Sequence, residues 1–115
     1  TDTLPLFYSA SGGPPVPQTV DDAAAAARTA SAHWRIGGCG LLLANPPPES
    51  LDVEDLIEEA VAEAARQNVS GQDVTPFVLA YLHEHSGGKT RDVNRKLIAE
   101  NVRLAADVSV AFAAL

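Results

Sequence analysis

The sequence of 115 residues contains no methionine, a single cysteine, a single tryptophan and few cations, with 8 Lys and Arg against 15 Asp and Glu. The lone Cys39 excludes an internal disulfide. The net charge of −7 argues against nucleic acid, because neutralising phosphates requires clustered Lys and Arg. It argues equally against an anionic membrane surface. No apolar run approaches the ~18 residues of a membrane-spanning helix, and no basic segment precedes an apolar one as in a signal peptide. Together these absences favour a cytoplasmic protein with no nucleic-acid partner and no membrane partner. The missing Met suggests that more chain precedes these residues. Leu4-Pro5-Leu6-Phe7-Tyr8 suggests it more strongly, since an apolar strand needs neighbours and a free terminus frays.

What is present is a series of bounded segments. Residues 3–9 form a first strand candidate. Ser11-Gly12-Gly13-Pro14-Pro15-Val16-Pro17 follows, too rich in proline for a helix or a sheet interior, and reads as an ordered connection. Thr19, with Asp22 three residues on, opens a helix that runs to Trp34 or Arg35. Residues 37–46 form a second strand, and the continuous apolar run at its centre is typical of a strand covered on both faces. Asp52 caps a helix to Gln67, with Val53, Leu56, Ile57, Ala60, Val61 and Ala64 on one apolar stripe. Thr75, as N-cap, and Pro76 start a third helix that Gly87 and Gly88 end. Thr90 caps a last helix, with Val93, Leu97, Leu104, Val108 and Phe112 on its buried side.

Two strands with four helices do not make an independent sheet. The fold class expected is therefore α/β. Helices flank the strands of a largely parallel or mixed sheet, and the remaining strands lie outside this chain.

Few side chains suggest chemistry. His83 and His85 project about 200° apart on a helix and cannot share a small ion, whereas zinc-binding helices place His at i and i+4. They read as exposed polar residues near a helix end, and His33 reads as structural. Cys39 reads as a small buried thiol without an activating base. Gly37-Gly38-Cys39-Gly40 precedes a strand, the reverse of a phosphate-cradling loop, so close packing explains it better. Asn45 follows the second strand, where ligands of open α/β sheets gather, although an Asn-Pro turn also accounts for it. Asn94 and Asn101 share a face of the last helix beside Leu97 and Leu104. Asn competes for backbone hydrogen bonds in a helix, so something polar is met there: a ligand, a loop backbone or a neighbouring subunit.

The order of several segments is distinctive. Leu4-Pro5-Leu6-Phe7-Tyr8-Ser9 is followed by Gly40-Leu41-Leu42-Leu43-Ala44-Asn45-Pro46 and then Thr75-Pro76-Phe77-Val78-Leu79. Gly87-Gly88-Lys89-Thr90, Asn94 and Glu100-Asn101-Val102-Arg103-Leu104-Ala105-Ala106 complete the series. In that order, and over nearly the whole chain, they resemble the C-terminal region of the pseudouridine-5′-phosphate glycosidases, a family that includes the indigoidine-synthase-A-like proteins.

The resemblance implies that residues 1–115 are the C-terminal part of a single α/β glycosidase domain. The implied activity is reversible cleavage of the C–C glycosidic bond of pseudouridine 5′-phosphate to uracil and ribose 5-phosphate. It proceeds through a Schiff base on a Lys, with a Glu as proton donor and manganese held by an Asp. An iminium is a suitable electron sink for a C–C cleavage. By the same resemblance the Lys, Glu and metal ligand precede this region, so no metal ligand is expected here. Asn94 matches the family's active-site Asn, which bonds the substrate, while Lys89 and Lys96 lie outside the lysine motif. The Pro-rich segment 14–17 and Cys39 depart from the family pattern. The partners implied are the N-terminal portion of the same protein, a small-molecule nucleotide substrate and further copies in a homotrimer. These residues alone are expected to be inactive. The competing reading is a non-catalytic interaction or binding module that reuses the fold.

Overall fold

The computed structural model describes residues 2–115. Helix α1 spans Ala23–Arg35. Asp22, not Thr19, is its N-cap: the Asp22 carboxylate accepts from the Ala25 backbone N–H at 2.6 Å. Helix α2 spans Glu54–Arg66, and its N-cap is Val53, one residue beyond the expected Asp52. Its first turn carries Glu54 and Asp55, which complement the helix dipole.

A short 3-10 turn, Gly71–Asp73, leads directly into helix α3, Val74–His85. Thr75 and Pro76 therefore lie inside the first turn, where Pro costs no hydrogen bond. Gly87 and Gly88, with φ of 64° and 83°, make the left-handed turn that joins α3 to α4. Helix α4 is the long one, Lys89–Ala113. Gly88 is its N-cap, so Thr90 is not a cap but a residue of the first turn, and it is completely buried.

Neither strand candidate becomes a strand. Among the described residues there is one isolated antiparallel bridge, between Thr3 and Pro15. Around it, Leu4 N donates to Pro14 O at 2.8 Å, Gly13 N to Leu4 O at 3.0 Å and Val16 N to Asp2 O at 3.0 Å. The first apolar segment thus pairs with the Pro-rich connection. Proline is tolerated there because, among the described residues, no backbone ladder forms on the connection's other edge. Residues 40–46 take no regular structure, and Leu41, Leu42 and Leu43 are 40%, 85% and 37% exposed. A strand exists only by pairing, and among the described residues no neighbouring strand is present to supply the ladder.

Packing is correspondingly thin. Helix α1 lies against α4, and α2 lies against α3. Small residues allow close approach: Ala26, Ala27 and Ala30 on α1 and Ala60 and Ala64 on α2 are buried. The principal cluster is Tyr8, Leu82 and Val93, with Leu51, Val53, Leu56, Ile57 and Val78 packed around it. The Cα radius of gyration is 17.1 Å, whereas a compact domain of this length has one of roughly 13 Å. The exposed surface is 7919 Å², against roughly 6,000 Å² for a folded monomer of this size. The surplus, on the order of 2,000 Å², is the size of a permanent interface. Much of it is apolar: Ile36, Leu42, Val102 and Val110 are 65% exposed or more. No helix among the described residues is long and apolar enough to cross a membrane.

Candidate functional site

Helix α4 organises the polar groups. Asn94 and Asn101 lie seven residues apart, on the same face and about 10.5 Å along the axis. Asn94 is half-buried beside buried Val93, and no described residue hydrogen-bonds its carboxamide. Asn101 is met from another part of the chain: Asn45 Nδ2 donates to Asn101 Oδ1 at 3.1 Å. The structure thus joins Asn45 to Asn101, and Asn94 lies two turns away on the same helix face.

The segment bearing Asn45 is held at several points. Glu49 forms an ion pair with Lys96 of α4. Pro47 is buried. Leu51 N donates to Tyr8 O at 2.8 Å, and Ala10 N donates to Ser50 Oγ at 3.3 Å. The Glu49 carboxylate hydrogen-bonds the Lys96 ammonium and holds its pKa above the usual lysine value.

A second polar cluster closes the α3–α4 junction. His83 Nδ1 lies 2.8 Å from Thr90 Oγ1, and Ser86 Oγ lies 3.0 Å from the same atom. His83 is therefore not the exposed polar residue expected, because the sharp Gly87-Gly88 turn folds α4 back over it. His85 is exposed and stacks on Tyr81 with ring centroids 3.8 Å apart. Tyr8 is 4% exposed and its hydroxyl has no hydrogen-bond partner. Burial raises the Tyr8 pKa, and the nearby Thr90 hydroxyl works weakly against that shift. Thr90 is already engaged with His83 and Ser86, so its approach to Tyr8 does not amount to a formed hydrogen bond.

Beside this cluster an open groove of about 520 Å³ is lined by Leu51, Asp52, Asp55, His85, Ser86 and Lys89, among others. A smaller one of about 200 Å³, walled by Phe7, Tyr8, Val78 and Leu79, is almost wholly apolar. Among the described residues no three His, Cys, Asp or Glu side chains gather as a metal centre requires. The residues present do not fit manganese, and no step of chemistry is assigned to a metal held by them.

The glycine-rich segment behaves as close packing predicts at one position. A Cβ on Gly38 would lie 2.3 Å from His33 Nε2, a buried nitrogen without a partner. Trp34 Nε1 donates to Cys39 O at 2.9 Å, and the Trp34 ring meets Phe112 edge-on at 5.5 Å. Cys39 itself is exposed, contrary to the buried thiol expected, because nothing covers the segment that bears it.

Sequence reasoning assigned no role to Tyr8 and made Thr90 a cap. A hydroxyl residue just after two turn glycines was the available signal for Thr90. Nothing local marks Tyr8, since its burial depends on α3 and α4.

This layer of helices beside an unpaired apolar segment has a close counterpart among solved structures. It matches the crystal structure of the prealnumycin C-glycosynthase AlnA in complex with ribulose 5-phosphate, with a TM-score of 0.84 and 35% identity. The match covers 99% of this chain and 39% of that one, and the likeness is consistent with an α/β fold. Residues 1–111 match the Indigoidine synthase A like protein family, and the chain belongs to that family. It is 44% identical to a pseudouridine-5′-phosphate glycosidase of Thermus thermophilus, over 100% of this chain and 42% of the relative. It is 40% identical to that of Myxococcus xanthus, over 98% of this chain and 39% of the relative. The chain thus spans about two fifths of the length of the curated relatives it matches.

Proposed function

We propose that these residues are the C-terminal part of a glycosidase that cleaves the C–C glycosidic bond of pseudouridine 5′-phosphate reversibly, to uracil and ribose 5-phosphate. The observation that carries this is the 44% identity to a pseudouridine-5′-phosphate glycosidase along the chain's full length. In this reading the surplus apolar surface around residues 36–43 and along α4 is covered by the N-terminal portion of the same protein. That portion supplies the other strands of a parallel or mixed sheet, the Schiff-base lysine, the acid and a manganese site. The assembly is a cytoplasmic homotrimer.

Asn94 is the residue of this chain proposed to bond the nucleotide. Its amide offers two donors and an acceptor, which suits the edge of a uracil or a sugar hydroxyl. Asn45 meets Asn101 two turns further along the same face of α4. Because this reading puts the lysine, the acid and the metal site outside these residues, these residues alone are expected to be inactive.

The test is turnover. The intact protein, assayed with manganese, should release uracil from pseudouridine 5′-phosphate, and the isolated 115 residues should not. An intact protein that releases no uracil sinks the proposal. Turnover by the isolated chain sinks its division of labour.

A further inference from the structure

The Asn45–Asn101 pair is more than a surface contact, because both partners are prepared for it. Asn45 precedes Pro46-Pro47-Pro48, and a following proline restricts its backbone to extended conformations. The Glu49–Lys96 ion pair and the Leu51–Tyr8 and Ala10–Ser50 hydrogen bonds fasten the rest of the segment. Each is weak alone. Together they order the loop before the amides meet, so little side-chain entropy remains to be lost there.

The pair has a defined polarity. Asn101 Oδ1 accepts from the Asn45 donor, and the Asn101 Nδ2 donors are not used by the loop. Ile98, one turn before Asn101 on α4, and Val102 beside it are 55% and 65% exposed. A surface that covered Asn101 together with Ile98 would strip water from the amide. A dehydrated N–H without an acceptor is costly, and among the described residues nothing accepts from Asn101. Asn is also a poor choice inside a helix unless its side chain is used.

We propose that Asn101 is a second substrate-contacting amide on α4, that it donates to an acceptor oxygen of the phosphorylated nucleoside, and that Asn45 is its positioning residue. This rests on the glycosidase reading above. Asn94 and Asn101, two helical turns apart, would then engage separate parts of one elongated ligand, and Asn45 acts on the substrate through Asn101.

The polarity gives a clean test in the intact protein. Asn101→Asp keeps an oxygen toward Asn45 but replaces the Nδ2 donor with a second oxygen. It should raise KM for pseudouridine 5′-phosphate at least as much as Asn101→Ala, by roughly tenfold, the worth of one hydrogen bond. The melting temperature should hardly change. Asn45→Ala should raise KM less, and the Asn45→Ala/Asn101→Ala double variant should match Asn101→Ala alone, because a positioning residue has nothing left to position.

Wild-type KM in Asn101→Asp overturns the proposal, as do additive effects in the double variant. So does a loss of stability in Asn101→Ala with KM unchanged. If the wild-type protein itself releases no uracil, the glycosidase reading fails and takes this inference with it. If the wild type is active and Asn101→Asp is unaffected, only this inference fails.

Discussion

Thr90 Oγ1 stands 2.8 Å from His83 Nδ1, across the Gly87-Gly88 turn that folds α4 against α3. The hydroxyl is shared with Ser86, and Thr90 is entirely buried. Helix α4 reaches Asn94 one turn later, so this contact sets the position from which the amide face starts.

Thr90→Val keeps the shape and removes the hydroxyl, leaving the His83 imidazole without its partner, while Ser86 Oγ still accepts from the Thr90 backbone N–H. A buried polar group left unpaired costs about 1–3 kcal/mol. Chemical denaturation of the intact protein should show a loss of that size, and Thr90→Ser should recover most of it. A Thr90→Val protein as stable as wild type would show that the network contributes nothing.

Tyr8 makes the opposite prediction. Its hydroxyl is buried without a partner, so Tyr8→Phe should be neutral or stabilising near neutral pH. The sign at high pH follows from linkage. Burial raises the folded pKa above the usual 10.0, so above pH 10 the unfolded chain loses this proton first. Stability is full below that value and falls as pH rises through the folded pKa. Thermal melts across the alkaline range should show that decline in the wild type and a smaller one in Tyr8→Phe. Parallel declines in the two proteins would rule Tyr8 out as the cause.

Gly38→Ala places a Cβ against the His33 imidazole, 2.3 Å from Nε2. Overpacking of this kind costs about 1–3 kcal/mol. His33→Ala removes the obstacle, so the double variant should be less destabilised than the sum of the two single ones. Strict additivity in denaturation would show that the contact is not what makes Gly38 necessary.

Asn94→Ala should lower kcat/KM for pseudouridine 5′-phosphate at least tenfold, on the order of one lost hydrogen bond. Because no described residue pairs with the carboxamide, stability should change by no more than about 0.5 kcal/mol. Unchanged kinetics in uracil-release assays would remove Asn94 from the site.

The sequence by itself determined the four helices to within a few residues, because periodic apolar positions, acids in a first turn and turn glycines act locally. It also determined the order of motifs that marks the family. Local signals failed where a choice depended on distant chain. Asp22 took the cap that the capping pattern assigned to Thr19, and Thr90 went inside because α4 folds back over His83. Leu4 found backbone partners in the Pro-rich connection, whereas Leu41–Leu43 found none, since a strand is a property of a pair of segments. The same applies to the amides. The spacing of Asn94 and Asn101 is readable along a helix, but only the tertiary structure brought Asn45, 56 residues away, to Asn101. A hydrogen bond across that distance depends on how the helices pack, and no local pattern encodes it.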